Sequence, residues 1–197
     1  MKRFAIAAFV ALLALFASGS SMADTASCTT YSCSSIVSGS TTRRTGTDTY
    51  NANTGWNTAT SGATYGTITG ICRVNGGHVL IPQVDVYSSA NPATKLQGVL
   101  WLFNTAPATV IQDNATFALA AGDFANLTAN QSGFSFTLTN NQDTSAANSG
   151  ISLTGTTYHG RCAVGTTSMF YQIQVVNAYV PASAEVLTVK LHAIPVN

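Results

Sequence analysis

Polar and apolar residues alternate one by one in several segments of this chain, which is the pattern of β-strands that bury one face. In "GFSFTLTN" the apolar residues Phe134, Phe136 and Leu138 are separated by polar ones, and "EVLTVKLHAI" has the same alternation. By contrast, "LQGVLWLF", residues 96–103, is almost continuously apolar and predicts a strand buried on both faces. Helical spacing is limited to one turn near residues 122–127, so the pattern predicts strands joined by turns.

Turn-forming residues separate further strand-like segments. Asn75-Gly76-Gly77 is a turn cluster between "YGTITGICRV" and "HVLIPQVDVY". The second segment contains Pro82, which has no N–H group to donate, so its strand should lie at a sheet edge or carry a bulge. "ISLTGTTYHGRC" and "SMFYQIQVVNAYV" are also strand-like. About seven short strands predict an all-β fold, an antiparallel β-sandwich or jelly roll, although the alternation does not fix the strand order.

The beginning of the sequence has the three parts of a secretory signal peptide. Within residues 1–23, two basic residues precede an apolar stretch over residues 4–16, and Ser21 and Ala23 suit the −3 and −1 positions of a cleavage site. The alternative is a hydrophobic arm that the mature protein retains.

Composition divides the rest of the chain and limits its partners. Residues 24–62 are rich in Ser, Thr, Asn and Gly and predict an extended arm, which leaves residues 63–197 as the sandwich domain.

After residue 23 there are six basic and seven acidic residues without a basic stripe, so we expect no nucleic-acid partner. The basic dipeptide Arg43-Arg44 is either solvated or in contact with an acidic partner. Because 46% of the residues are hydrophobic, the low charge does not indicate disorder.

Four cysteines behind a signal-like segment predict disulfide bonds. Of the three pairings that four cysteines allow, we favour a local loop, Cys28–Cys33, together with a long-range link, Cys72–Cys162. Zinc ligation is the alternative, but the sequence has no Cys-x-x-Cys motif and its histidines are scattered. We therefore expect disulfides, with no metal and no cofactor.

Two carboxylates, Asp113 and Asp123, are the strongest acidic candidates for chemistry. A hydrolytic pair needs two carboxyl groups at a defined separation, and a calcium loop needs acids at closer spacing. Turn preferences favour a structural interpretation, in which Asp113 and Asn114 form an Asx-type turn and Asp123 caps a helical turn. Calcium binding and catalysis stay open as alternatives.

The histidines and aromatic residues give weaker signals. No nucleophile, zinc-protease or phosphate-loop motif surrounds a histidine, so the sequence predicts no enzyme. Tyr50, Trp56 and Tyr65 lie in a polar region, where they could stack against sugar rings or anchor an interface. Trp101 lies in the most apolar segment and is predicted to belong to the core.

Three segments resemble, in order, a family of small virion proteins of tailed bacteriophages. "TTRRTGTDTYNANT" is similar to the opening of that family. "LWLFNTAPATVIQDNATFALAAGDFANLTA" is similar to its centre, with Asp-Asn-x-x-Phe after a Pro turn, and "YVPASAEVLTVKL" resembles its closing strand pair. Together the three segments span residues 41–191.

The resemblance implies a non-enzymatic virion structural protein, such as a head decoration or cement protein on the capsid surface, with a β-sandwich body. It implies no catalytic residues. Asp113, Asn114 and Phe117 would shape a loop, and Pro181 with Glu185 would form a turn. The implied partners are other virion or envelope proteins and further copies of the chain.

Two features depart from this family. Arg44 stands where the family usually has Pro, and an export signal with four cysteines is unusual for a protein that assembles in the cytoplasm. The alternative prediction is therefore an exported β-sandwich module that binds a glycan or another surface.

Overall fold

The computed structural model describes residues 35–128, 133–140 and 148–196 (the side chains at 155–157 excepted) and contains two antiparallel β-sheets packed face to face. One helical turn, α1 (Ala121–Phe124), interrupts the strands. The strands are β1 (Ser35–Thr42), β2 (Thr54–Trp56), β3 (Gly66–Ile68), β4 (His78–Ser88), β5 (Gln97–Phe103), β6 (Phe134–Thr137), β7 (Thr139–Asn140), β8 (Ser149–Arg161), β9 (Met169–Val175) and β10 (Val186–Val196). In this part of the chain no helix has the length and hydrophobicity needed to cross a membrane.

The order of the strands defines the fold. The first sheet runs β1-β10-β4-β8-β7, and the second runs β2-β9-β5-β6, with β3 pairing with β9 next to β2. The facing sets β1-β10-β4-β8 and β2-β9-β5-β6, connected in this chain order, form a jelly roll. The predicted all-β sandwich is confirmed, and the structure adds the strand order that the alternation could not give.

The core lies between the two sheets and consists of the inward residues of each strand. In β10 the residues Leu187, Val189 and Leu191 are fully buried, whereas Thr188 and Lys190 between them face outward and are half-buried. This is the alternation that the sequence shows, so the first sheet has one core face and one outer face.

Pro82 lies in an interior strand and not at an edge. β4 pairs with β10 on one side and β8 on the other, and the β8 register shifts between Ile81 and Gln83. A bulge at this point removes the need for the ladder hydrogen bond that Pro82 cannot donate. The predicted bulge is confirmed.

The predicted boundary at residue 63 does not hold, because β1 and β2 both belong to the sandwich. β1 lacks an apolar signal for a physical reason. A Cβ atom on Gly39 would lie 2.7 Å from the carbonyl oxygen of Thr67, so only small residues let β1 approach β3 where the sandwich closes. The strand predicted in "YGTITGICRV" is also shorter than expected and consists of Gly66–Ile68.

Candidate functional site

Buried charged side chains cluster at the end of the sandwich where β1 ends and β10 begins. Five residues make up this cluster, which we call the junction: Arg43, Tyr50, Asp113, Tyr179 and Glu185. They come from three distant parts of the sequence. The fold, and not sequence proximity, brings them together.

Arg43 directly follows β1 and is only 1% exposed. Its Nε atom donates a hydrogen bond to Tyr50 Oη at 2.9 Å and lies 3.6 Å from Asp113 Oδ2. Nη1 donates to the carbonyl oxygen of Gly46 at 2.5 Å, and the guanidinium carbon lies 5.0 Å from the centre of the Tyr50 ring. A buried guanidinium needs a paired charge and hydrogen-bond acceptors, and Arg43 has both.

Asp113 supplies the opposite charge. Its carboxylate accepts hydrogen bonds from the Tyr50 hydroxyl, from the backbone N–H of Asn57 at 3.2 Å and from Arg44 Nε at 3.1 Å. Arg44 is more exposed and also pairs with Asp48. Two arginines therefore share one buried carboxylate, which ties the β1–β2 connection to the loop after β5.

Glu185 forms the other half of the junction. It is 1% exposed and accepts hydrogen bonds from Tyr179 Oη at 2.7 and 2.9 Å, from the Ala182 N–H at 2.9 Å and from the Ser88 hydroxyl. Its carbonyl oxygen also accepts from the Arg43 N–H at 2.8 Å. Glu185 therefore stabilises the turn that precedes β10, because its carboxylate binds Tyr179 and Ala182 within that turn.

Two tyrosines join the halves. Tyr50 and Tyr179 exchange backbone hydrogen bonds of 2.8 and 3.2 Å, and Trp56 stacks on the Tyr50 ring with centroids 5.4 Å apart. Burial, followed by the hydrogen bond and charge of Asp113, raises the pKa of Tyr50 far above its ordinary value. Burial and the charge of Glu185 do the same for Tyr179. Both phenols stay neutral and donate hydrogen bonds to the carboxylates of Asp113 and Glu185.

The structure corrects the predicted role of Asp113. Its carboxylate reaches across to Tyr50, Asn57 and Arg44 and makes no Asx-type turn with its own loop. The turn around Asp113 and Asn114 is made by backbone atoms, with Asn114 in the left-handed region at φ +57°, a conformation that Asn tolerates.

The predicted helix cap at Asp123 is also wrong. α1 begins at Ala121, its N-cap position is Ala120, and no side chain caps it. Asp123 lies inside the turn, 1% exposed, and accepts from the N–H groups of Ala108 and Thr109 at 2.7 and 3.1 Å. These two hydrogen bonds stabilise the long loop after β5, and they do not involve Asp113.

The aromatic residues are placed differently from the prediction. Tyr50 and Trp56 are 0% and 3% exposed, so neither can stack against a sugar, whereas Tyr65 is half-buried and meets Phe170 edge-on. Trp101 is not a core residue. It lies half-buried on the outer face of the second sheet, where Phe117 stacks on it at 5.9 Å.

The three histidines, scattered in the sequence, lie on one face. His78 pairs with Arg161, Leu80 pairs with His159, and His192 pairs with Gln83, all on the outer face of the first sheet. No group of three or more potential metal ligands occurs among the described residues.

Asp85 lies on the same outer face, although it is only 4% exposed. It accepts from Gln83 Nε2 at 2.7 Å and lies 2.8 Å from His192 Nε2. Burial acts to raise the pKa of Asp85, but hydrogen bonds from Gln83, His192 and Ser152 outweigh it and hold the pKa below its ordinary value. The carboxylate is therefore charged and already has partners.

Cys72 and Cys162 form a disulfide bond across 90 residues, as predicted. It links the loop after β3 to the end of β8 and so connects the two sheets at the end opposite the junction. The predicted pair Cys28–Cys33 lies outside the described residues.

Sequence reasoning missed the junction. The sequence predicts a solvated or partner-binding Arg43 and assigns no separate role to Tyr179. One signal was available in the composition. A buried arginine needs a carboxylate partner, and this chain, with 46% hydrophobic residues, has only seven Asp and Glu residues that could supply one. No known family model matches this sequence, and no curated protein is significantly similar to it.

The junction tyrosines should make the protein sensitive to alkali. Unfolding exposes both phenols, which then ionise near pH 10, so their contribution to stability is complete below about pH 10 and is lost as the pH rises above it. We expect the free energy of unfolding to fall by about 1.4 kcal/mol per pH unit for each tyrosine, measured by urea denaturation between about pH 10 and pH 12. Tyr50→Phe should remove one tyrosine's share of this slope. An unchanged slope in that variant would contradict the assignment.

Proposed function

We propose that this protein is a non-enzymatic structural protein of a bacteriophage virion that binds the capsid surface through the exterior of its sandwich. The observation that carries the proposal is the junction. Arg43 and Tyr50 come from the first segment that resembles tailed-phage virion proteins, Asp113 from the second, and Tyr179 and Glu185 from the third.

The three segments that carry the resemblance touch one another in the fold. Here the first segment contacts the second through Arg43 and Asp113, and it contacts the third through the paired backbones of Tyr50 and Tyr179. The residues at which the three segments meet are the buried ones of the junction, and we propose that they give the body of a virion protein its shape.

The burial of the junction supports a role that depends on shape. Arg43, Asp113 and Glu185 are 1%, 3% and 1% exposed, and their polar atoms bind one another and the backbone. A substrate could reach them only if this end of the sandwich opened. Other molecules would then contact outer-face residues such as Ser38 and Ser40. Because these side chains are polar and uncharged, a broad interface can bury them without a large cost of charge desolvation.

Mass spectrometry of purified particles of the encoding phage tests the proposal. We expect peptides from this chain in many copies per particle, at a fixed ratio to the major capsid protein after nuclease treatment and density-gradient purification. A cytoplasmic host protein of similar abundance serves as the control and should be removed by the same steps. Absence of the chain from particles, or a ratio that varies between preparations, would reject a structural role in the virion.

One observation favours a second function, an exported module that binds a glycan or another surface. The Cys72–Cys162 disulfide is typical of a protein that folds in an oxidising compartment. Alkylating thiols in intact cells separates the two proposals. Cys72 and Cys162 that resist alkylation, in a chain recovered outside the cytoplasm, would favour export, whereas labelling of both would favour cytoplasmic assembly.

A further inference from the structure

The outer face of the first sheet is apolar at one end, which is unusual for a sheet face in contact with water. Antiparallel sheets with one solvated face normally alternate apolar and polar residues along each strand. Near the disulfide this alternation fails, because Leu80, Ile194 and Val196 face outward next to inward apolar residues. Ile36 of β1 lies on the same face and is 63% exposed.

Basic side chains surround these aliphatic residues. In the paired register, His78 lies between Val196 and Arg161, and Leu80 lies between Ile194 and His159. Residues directly opposite each other in an antiparallel pair share a face and lie within contact range. His192 lies beside Ile36. We call these eight residues the outer patch: Ile36, His78, Leu80, His159, Arg161, His192, Ile194 and Val196.

The outer patch has no carboxylate side chain of its own to balance Arg161. The neighbouring acid on this face, Asp85, is 4% exposed and already paired with Gln83 and His192. An apolar centre bordered by polar groups, with Arg among them, is the composition of a protein-binding surface. The charge that would complement it is negative.

We propose that the outer patch is a docking surface for another protein, whose contact surface is apolar at the centre and carries Asp or Glu side chains opposite Arg161. This inference deepens the proposed function by naming the face that meets the particle, and it rests on that function only for the identity of the partner. The apolar centre supplies burial, and the carboxylates supply orientation and choice of partner.

A photo-crosslinking residue in the full chain tests the outer patch directly. p-Benzoylphenylalanine is placed at position 36 in one variant and at position 176 in another, in cells that assemble the particle. Val176 is a matched control because it is also an exposed aliphatic, at 43%, and it follows β9 at the end away from the disulfide. We expect an adduct from position 36 to a different protein, in a segment with Asp or Glu, and no comparable adduct from position 176.

Two charge variants then test the chemistry of recognition. Arg161→Ser should lower the adduct yield at position 36 about five-fold, as for the loss of one interfacial ion pair. Lys190→Ser removes the same charge from the same sheet face outside the outer patch, where Lys190 lies over the Tyr87 ring, and should leave the yield unchanged.

The outcomes separate the two proposals. An adduct to a capsid protein supports both, whereas an adduct to an acidic protein that is not part of the virion supports the outer patch and rejects the virion role. No adduct at position 36, equal yields at both positions, or equal effects of the two charge variants would overturn the outer patch. So would an adduct to nucleic acid, to a second copy of this chain, or to residues 1–34 of the same chain.

Discussion

Replacing Asp113 with alanine is expected to lower the free energy of unfolding by about 3–5 kcal/mol, because the change leaves Arg43 buried without a counter-charge. This is several times the cost of losing a turn or cap, which is about 1 kcal/mol. Arg43 is 1% exposed, and its ion-pair partner, Asp113, is 3% exposed, so water cannot replace the missing carboxylate without opening the junction. Urea denaturation followed by tryptophan fluorescence measures the change.

Asp48→Ala is the matched control for this experiment. Asp48 pairs with Arg44, which also binds Asp113, but the Asp48 side chain is 60% exposed. Its loss should cost less than about 1 kcal/mol, as for other surface ion pairs. The double variant Arg43→Met/Asp113→Leu should be more stable than Asp113→Ala, since both buried charges are removed together. A loss below about 1 kcal/mol for Asp113→Ala would show that Arg43 does not depend on it.

Removing the disulfide with Cys72→Ser and Cys162→Ser is expected to cost about 4–5 kcal/mol, because the bond closes a loop of 90 residues in the unfolded chain. The bond also holds the loop after β3 against the end of β8, where the two sheets meet. Thermal and urea denaturation of the oxidised wild type and the double variant measure the difference.

Reduction gives the control for the disulfide experiment. Dithiothreitol should lower the stability of the wild type towards that of the double variant and should change the variant much less. The comparison also isolates Cys72–Cys162 from any contribution of Cys28 and Cys33, which both proteins retain. Equal stability of the oxidised wild type and the double variant would contradict the predicted contribution.

Strands that bury one face could be predicted from the sequence, because burial imposes a period of two on side-chain polarity. β10 shows this, with Leu187, Val189 and Leu191 turned inward. β1 could not be found in the same way. It needs small residues such as Gly39 to approach β3, and small residues carry no hydrophobic signal.

The junction and the outer patch could not be predicted because both depend on which strands are neighbours. Arg43 and Glu185 are adjacent only because β1 pairs with β10, and the backbone of one binds that of the other. His78 and His159 share a face only because β4 pairs with β8. A single sequence gives the period of each strand but not its partner, so the chemistry of sites between strands stays hidden.

The pairing of β1 with β10 has a consequence for how the protein is made. Ser35–Thr42 pairs along its full length with residues 186–193, so strands at opposite ends of the described chain are hydrogen-bonded neighbours. β1 therefore cannot complete its pairing until residues 186–193 have also left the ribosome. The first sheet is completed at this edge only after that point, and until then the polypeptide stays available to a chaperone or a translocation channel.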